Sequence, residues 1–172
     1  MVGCNTHSQT VRFQSLSIQD GLSQSAINCI TQDSLGYIWI GTQDGLNRFD
    51  GINFKVYKHQ LNNKNCLTNS YVTDLVIDKS GNFWIGTQSG GITFFNPRSN
   101  QFSSLQAIPK VVNATINDLE IIDNTLFIAT SKNGFYCYDI LTKEVEALNT
   151  STGFESNKIA KINKVDNVLW LG

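Results

Sequence analysis

With 172 residues, 41% of them hydrophobic and 16% charged, the chain can build one packed, β-rich domain and is not a disordered segment. A net charge of −1 with no run of Lys or Arg excludes electrostatic capture of nucleic acid or of an anionic membrane surface. No stretch approaches the ~20 apolar residues of a membrane-spanning helix, so any span of the membrane comes from regions outside this segment.

Residues 1–10 form an N-terminal flank. Met1-Val2-Gly3-Cys4 has the form of the tail of a bacterial lipoprotein signal, and a clipped targeting segment is the other reading. The four cysteines, Cys4, Cys29, Cys66 and Cys137, contain no C-x-x-C pair. Cys29 and Cys137 fall in apolar strand patterns, where a thiol packs as a small core residue, whereas Cys66 lies in a loop; their disulfide state is open.

From Val11 to Leu16 apolar and polar residues alternate, as on an outer strand whose sheet is completed from elsewhere. Four strands then follow at residues 26–31, 37–42, 46–50 and 54–57. They are separated by Asp33-Ser34-Leu35-Gly36, Gln43-Asp44-Gly45 and Asp50-Gly51, turn sequences in which Asp bonds its own backbone and Gly takes a positive φ. The whole plan recurs. Tyr37-Ile38-Trp39-Ile40-Gly41-Thr42 returns as Asn82-Phe83-Trp84-Ile85-Gly86-Thr87, Trp84 lying 45 residues after Trp39. Asp33 and Asp78, Gly36 and Gly81, and Gly45 and Gly90 keep the same offset. A weaker copy, Leu126-Phe127-Ile128-Ala129-Thr130, begins a third set, and Leu169-Trp170-Leu171-Gly172 belongs to a fourth.

A period of this length in hairpin-linked strands predicts an all-β propeller fragment over residues 11–172. Its four-stranded blades fall at about 26–57, 71–105 and 115–148, with a truncated blade at 158–172 and the orphan outer strand ahead of them. The second strand of each blade carries bulk on both faces, so each sheet is covered on both sides by neighbours. Gly41 and Gly86 stand where a side chain would obstruct that approach. Leu22, Leu67, Val111 and Phe154, each five residues before the first apolar strand residue of a blade (Ile27, Val72, Ile116 and Ile159), are placed to plug the gaps between blades. Three and a half blades do not close a ring of the usual 4–8. Further blades of a longer chain, or a second copy in a homodimer, would have to complete it.

The stretch from Asp20-Gly21-Leu22-Ser23 through Trp39-Ile40-Gly41-Thr42-Gln43-Asp44-Gly45-Leu46-Asn47-Arg48-Phe49-Asp50-Gly51 resembles the two-component-regulator propellers. These form the periplasmic sensor regions of Bacteroides-type hybrid histidine kinases. The resemblance runs from Val11 onward, strongest in the first two repeats. It implies a periplasmic sensor module that binds a polysaccharide-derived oligosaccharide and controls transcription of glycan-utilisation genes. Kinase, phospho-acceptor and DNA-binding segments of that family are absent here, so none of those activities attaches to these residues.

Chemistry beyond recognition is sparse. His7 and His59 form no metal-binding spacing, no nucleophile elbow or phosphate loop occurs, and no catalytic residue, metal or cofactor is expected. Asp33 and Asp78 recur at the blade period and read as turn caps. Asn113 and Asn149 open sequons that carry little meaning in a bacterial chain. Ligand contacts must come from the rim formed by the second-to-third-strand turns and the blade-to-blade connections. That rim groups Gln43, Asp44, His59, Tyr71, Gln88, Ser89 and Lys132, whose amide, charged and aromatic groups suit sugar hydroxyls and ring faces. A protein-interaction scaffold is the second reading. A propeller lyase or glycosidase is the third, which lacks the convergent carboxylates it needs.

Overall fold

The computed structural model describes residues 15–165 and 168–172. The first blade comprises β1 (Ile27–Gln32), β2 (Ile38–Thr42), β3 (Gly45–Phe49) and β4 (Phe54–Tyr57). The second comprises β5 (Val72–Ile77), β6 (Phe83–Thr87), β7 (Gly91–Asn96) and β8 (Gln101–Ser104). The third comprises β9 (Ile116–Ile122), β10 (Thr125–Thr130), β11 (Phe135–Asp139) and β12 (Val145–Leu148), and β13 (Ile162–Val165) pairs with β14 (Val168–Leu171) as half of a fourth. All pairings are antiparallel, in the up-and-down order β1-β2-β3-β4, repeated in the two sheets that follow. The fold is therefore a partial β-propeller. Of the expected orphan strand, Val11 to Gln14 lie outside the described residues, as do the flank 1–10, Cys4 and His7, while Ser15 and Leu16 are not in a strand.

Blades meet chiefly through their first strands, β1 against β5 and β5 against β9, so these strands form the narrow inner end of the fan. Glycine makes that approach possible. A Cβ on Gly41 would lie 2.4 Å from Cys29 Sγ in its own blade and 2.6 Å from Val72 Cγ1 in the next. One on Gly86 would lie 2.8 Å from Ile116 Cγ2. The third repeat has Ala129 at this place, fully buried against Ile159 and Phe135. Leu22, Leu67 and Val111 are buried as blade plugs, and Phe154 packs partly buried against the third cluster.

Between the first two blades Trp39, Phe83, Phe95, Tyr57 and Phe102 form a continuous aromatic core. The rings of Trp39 and Phe83 lie 4.4 Å apart, and those of Phe95 and Phe102 are stacked at 4.1 Å. Such pairs contribute about 0.5–1.5 kcal/mol each beyond their buried area.

Asp33 does more than cap its turn. One carboxylate oxygen accepts the N–H groups of Leu35 at 2.9 Å and Tyr37 at 3.0 Å, while the other accepts the Trp39 indole N–H at 2.8 Å. Asp78 repeats the arrangement with Ser80, Asn82 and, at 3.2 Å, the Trp84 indole. One carboxylate thus shapes the turn and satisfies the donor that a buried tryptophan must place.

Two outcomes follow from these seams. Gly41→Ala should destabilise the protein by about 1–3 kcal/mol, and pairing it with Val72→Ala should recover part of the loss in a double-mutant cycle of urea melts. Asp33→Ala leaves an indole and two amide donors without their acceptor. A loss of about 1–3 kcal/mol is expected, with a red-shifted Trp39 fluorescence as water reaches the ring.

Candidate functional site

The turns of each blade divide between two opposite rims. On one rim lie the β2–β3, β6–β7 and β10–β11 turns together with the connections between blades. The Thr that ends each second strand shapes these turns: the hydroxyls of Thr42, Thr87 and Thr130 donate to the carbonyls of Gly45, Gly91 and Gly134 at 3.0, 2.9 and 2.7 Å. All three threonines are fully buried. Their role was legible in the repeated motif as the one polar residue at its end.

The seven residues expected to contact a ligand sit on this rim. Gln43, His59, Gln88, Ser89 and Lys132 are exposed, and Asp44 and Tyr71 are half-buried. Asp44 pairs with Lys58 at 2.6 Å, which brings it beside His59. His59 is anchored by its backbone N–H to Ser70 Oγ at 3.0 Å and by Nδ1 to the Leu67 carbonyl at 2.8 Å. The Gln88 N–H donates to the Tyr71 carbonyl at 3.0 Å. Ser89, in the left-handed region at φ 60°, turns its backbone N–H to Thr115 Oγ1. Lys132 stands apart from these pairs, next to Asn133, whose amide reaches the Lys110 carbonyl. The rim is a row of neighbouring polar groups, and none of the seven lines the principal clefts.

The clefts lie elsewhere. One of about 420 Å³ opens on the opposite rim, between the first two blades, where the Asp33–Gly36 and Asp78–Gly81 turns face the Pro97-Arg98 turn. Arg48, Lys79 and Arg98 line it with Tyr37, and Trp39 and Phe83 close its floor. The sequence signal for it was Arg48, a charged residue in the middle of a strand expected to be covered on both faces.

At the inner end, the blades are tied by side chains of the first strands. Asn28 Nδ2 donates to the Val72 carbonyl at 2.6 Å, and Asn117 Nδ2 to the Ile159 carbonyl at 2.7 Å. Asp74 accepts the Leu119 N–H at 2.7 Å across the second seam. Asp118, almost fully buried, accepts the Ile162 N–H at 2.7 Å and pairs with Lys161 across the third. In the first blade the corresponding place is Cys29, whose thiol is pushed up to about 12, chiefly by burial and further by the Asp74 charge. Cys29, Cys66 and Cys137 are all free thiols. Among the described residues no group of His, Cys, Asp and Glu is arranged to hold a metal ion.

The family model for the two component regulator propeller matches residues 21–44 and 66–89, the first two Asp–Trp repeats. In structure, the chain superposes on the extracellular domain of a putative hybrid two component system of B. thetaiotaomicron with a TM-score of 0.82 and 28% identity. Both matched stretches resemble the repeats of the two component regulator propellers. That superposition covers 92% of this chain and 23% of the other. A second extracellular domain from B. thetaiotaomicron, also of a putative hybrid two component system, matches at TM-score 0.72 and 25% identity over 88% of this chain and 20% of that one. In sequence, 47 residues are 53% identical to "Histidine kinase P4" of Formosa agariphila, covering 27% of this chain and 3% of that protein. The chain thus spans about a quarter or less of these relatives.

The pH behaviour of the inner seam can be tested directly. Burial pushes Asp74 up to about 6 and the Asp118 charge adds to this, against the pull of the Leu119 and Leu75 N–H groups and of Lys161. Between about pH 4 and 6 the folded chain holds a proton on Asp74 that the unfolded chain releases, so this group's contribution is fully present below about pH 4 and lost as pH rises through 6. Asp74→Asn keeps an acceptor for Leu119 and removes the titration. The difference between wild-type and variant stabilities in urea melts should shift by about 1–3 kcal/mol in the variant's favour from pH 4 to pH 7.

Proposed function

We propose that this chain is the first part of a periplasmic sensor propeller in a hybrid two-component signalling protein. On this reading it binds an oligosaccharide released from a complex polysaccharide and thereby controls transcription of glycan-utilisation genes. The observation that carries the proposal is the match of both Asp–Trp repeats to the regulator-propeller family, together with the superposition on an extracellular domain of a hybrid two component system. The chain itself performs no catalysis in this scheme. The kinase and the membrane segment belong to other parts of the protein.

The end faces support a larger ring. Ile27 and Ile30 on the first blade are 50% and 66% exposed, and Val168 and Trp170 on the last half-blade are 54% and 61% exposed. Apolar residues of this size at blade faces suit cover by further blades, or by a second copy. The sensor's ligand contacts fall to the rim of Gln43, Asp44, His59, Tyr71, Gln88, Ser89 and Lys132. There Asp44 and Lys58 already hold each other, and Gln43 and Gln88 are exposed, their amides open to sugar hydroxyls.

The test is a thermal-shift and calorimetry screen of the intact sensor protein against polysaccharide digests, with product analysis alongside. A digest that raises the melting temperature without being turned over is the expected result. Gln43→Ala with Gln88→Ala should weaken that binding by roughly tenfold, since each lost polar contact is worth about 0.5–1.5 kcal/mol. Turnover of the glycan would replace the sensor with an enzyme, and binding only to a protein partner would favour a scaffold.

A further inference from the structure

The cleft between the first two blades opens on the rim opposite the proposed ligand contacts, and its chemistry differs from theirs. Three cations, Arg48, Lys79 and Arg98, line it beside two carboxylates, Asp33 and Asp78. Both carboxylates are committed, each holding two backbone N–H groups and an indole N–H. Lys79 reaches Asp123 at 3.1 Å on the exposed edge. Arg48 and Arg98 enter no ion pair among the described residues. Asp50, whose charge responds to Arg48, is held by the N–H groups of Ile52 and Asn53 in its own turn.

Arg48 is the decisive group. Its Nε is shielded from solvent and has no hydrogen-bond partner among the described residues. Its guanidinium lies over the Tyr37 ring, 4.5 Å from the centroid. The shielded Nε is closed to a ligand as well as to water, so the two Nη groups, which enter no ion pair among the described residues, are the donors left for a bound oxyanion. The volume, about 420 Å³, lies within the roughly 300–1,000 Å³ of small-molecule pockets. Leu35, Tyr37 and Pro97 add apolar wall.

We propose that this inter-blade cleft binds a sugar ring carrying an oxyanion, a uronate carboxylate or a sulfate ester, with Arg48 as the oriented fork and Arg98 as the second cation at the mouth. That the ring is a sugar rests on the sensor reading, while the demand for an oxyanion rests on Arg48 alone. A planar fork held against an aromatic ring recognises two oxygens of one group, which a lysine in its place would not.

Calorimetric titration of the intact sensor protein with glucuronate, glucose 6-sulfate, glucose and sodium sulfate tests the site. One or both acidic sugars should bind at least tenfold more tightly than glucose and than sulfate ion, and which of them binds identifies the source of the oxyanion. Arg48→Gln should weaken that binding tenfold or more, and Arg48→Lys should restore only part of it. Arg48 also covers Tyr37, so melting curves accompany each variant. Arg98→Gln, on an exposed turn, supplies a second arm that leaves the core untouched and should cost severalfold. Equal binding of glucose, equal binding of sulfate ion, no binding of any acid, or affinity unchanged in Arg48→Gln and Arg98→Gln would each overturn the site. A protein that responds to neutral glycan digests but binds none of the acids loses this cleft and keeps the sensor reading. One that binds the acids but responds to no digest loses the sensor reading and keeps the cleft.

Discussion

The structure depends on how closely one blade can approach the next at the end of its second strand. At Gly41 the absence of a side chain lets Val72 of the following blade enter, and at Gly86 it admits Ile116. Every larger contact is set by that spacing. The aromatic core between the first two blades closes only if Trp39 meets Phe83 and Phe95 across the seam. Protein interiors are packed to the density of organic crystals, so one methyl group in the wrong place is felt along the whole interface.

A single residue type does different work around this seam according to its depth. Asp33 and Asp78 lie on the outer turns, where backbone and indole donors surround them. Asp74 and Asp118 lie at the inner end, where each takes one backbone N–H of the next blade. Asp118 has a lysine at hand; Asp74 answers burial by holding its proton to higher pH. The first blade substitutes Cys29, which needs no partner charge and packs against the next blade instead. The repeats therefore share a scaffold while each seam is stitched by its own chemistry.

Much of the fold was legible from the 45-residue spacing of Trp39 and Trp84. Repetition, turn residues and strand periodicity are local properties, and each blade obeys them independently. Asp33 and Asp78 were readable as turn caps but not as indole acceptors, since that second bond joins residues six apart through the geometry of the hairpin. The rim residues could be assigned to one side by strand order alone. What escaped the sequence was concavity. Gln43, Gln88 and Lys132 lie on a row of turns, whereas Arg48, Arg98 and Lys79 meet at a cleft built from two blades.

By itself, then, the sequence determined an all-β propeller of repeated four-stranded blades, the positions of its turns and the glycines at its seams. These follow from patterns within one repeat, where neighbouring residues dictate local geometry. Only the tertiary structure decided which polar groups find partners and which do not. Among the described residues it left the Arg48 Nε without an acceptor, gave Asp118 a lysine and Asp74 an amide from the next blade, and opened the cleft on the rim away from the expected contacts. The reason is that burial and partnership are set by the angle and distance between successive blades, and no single repeat encodes these.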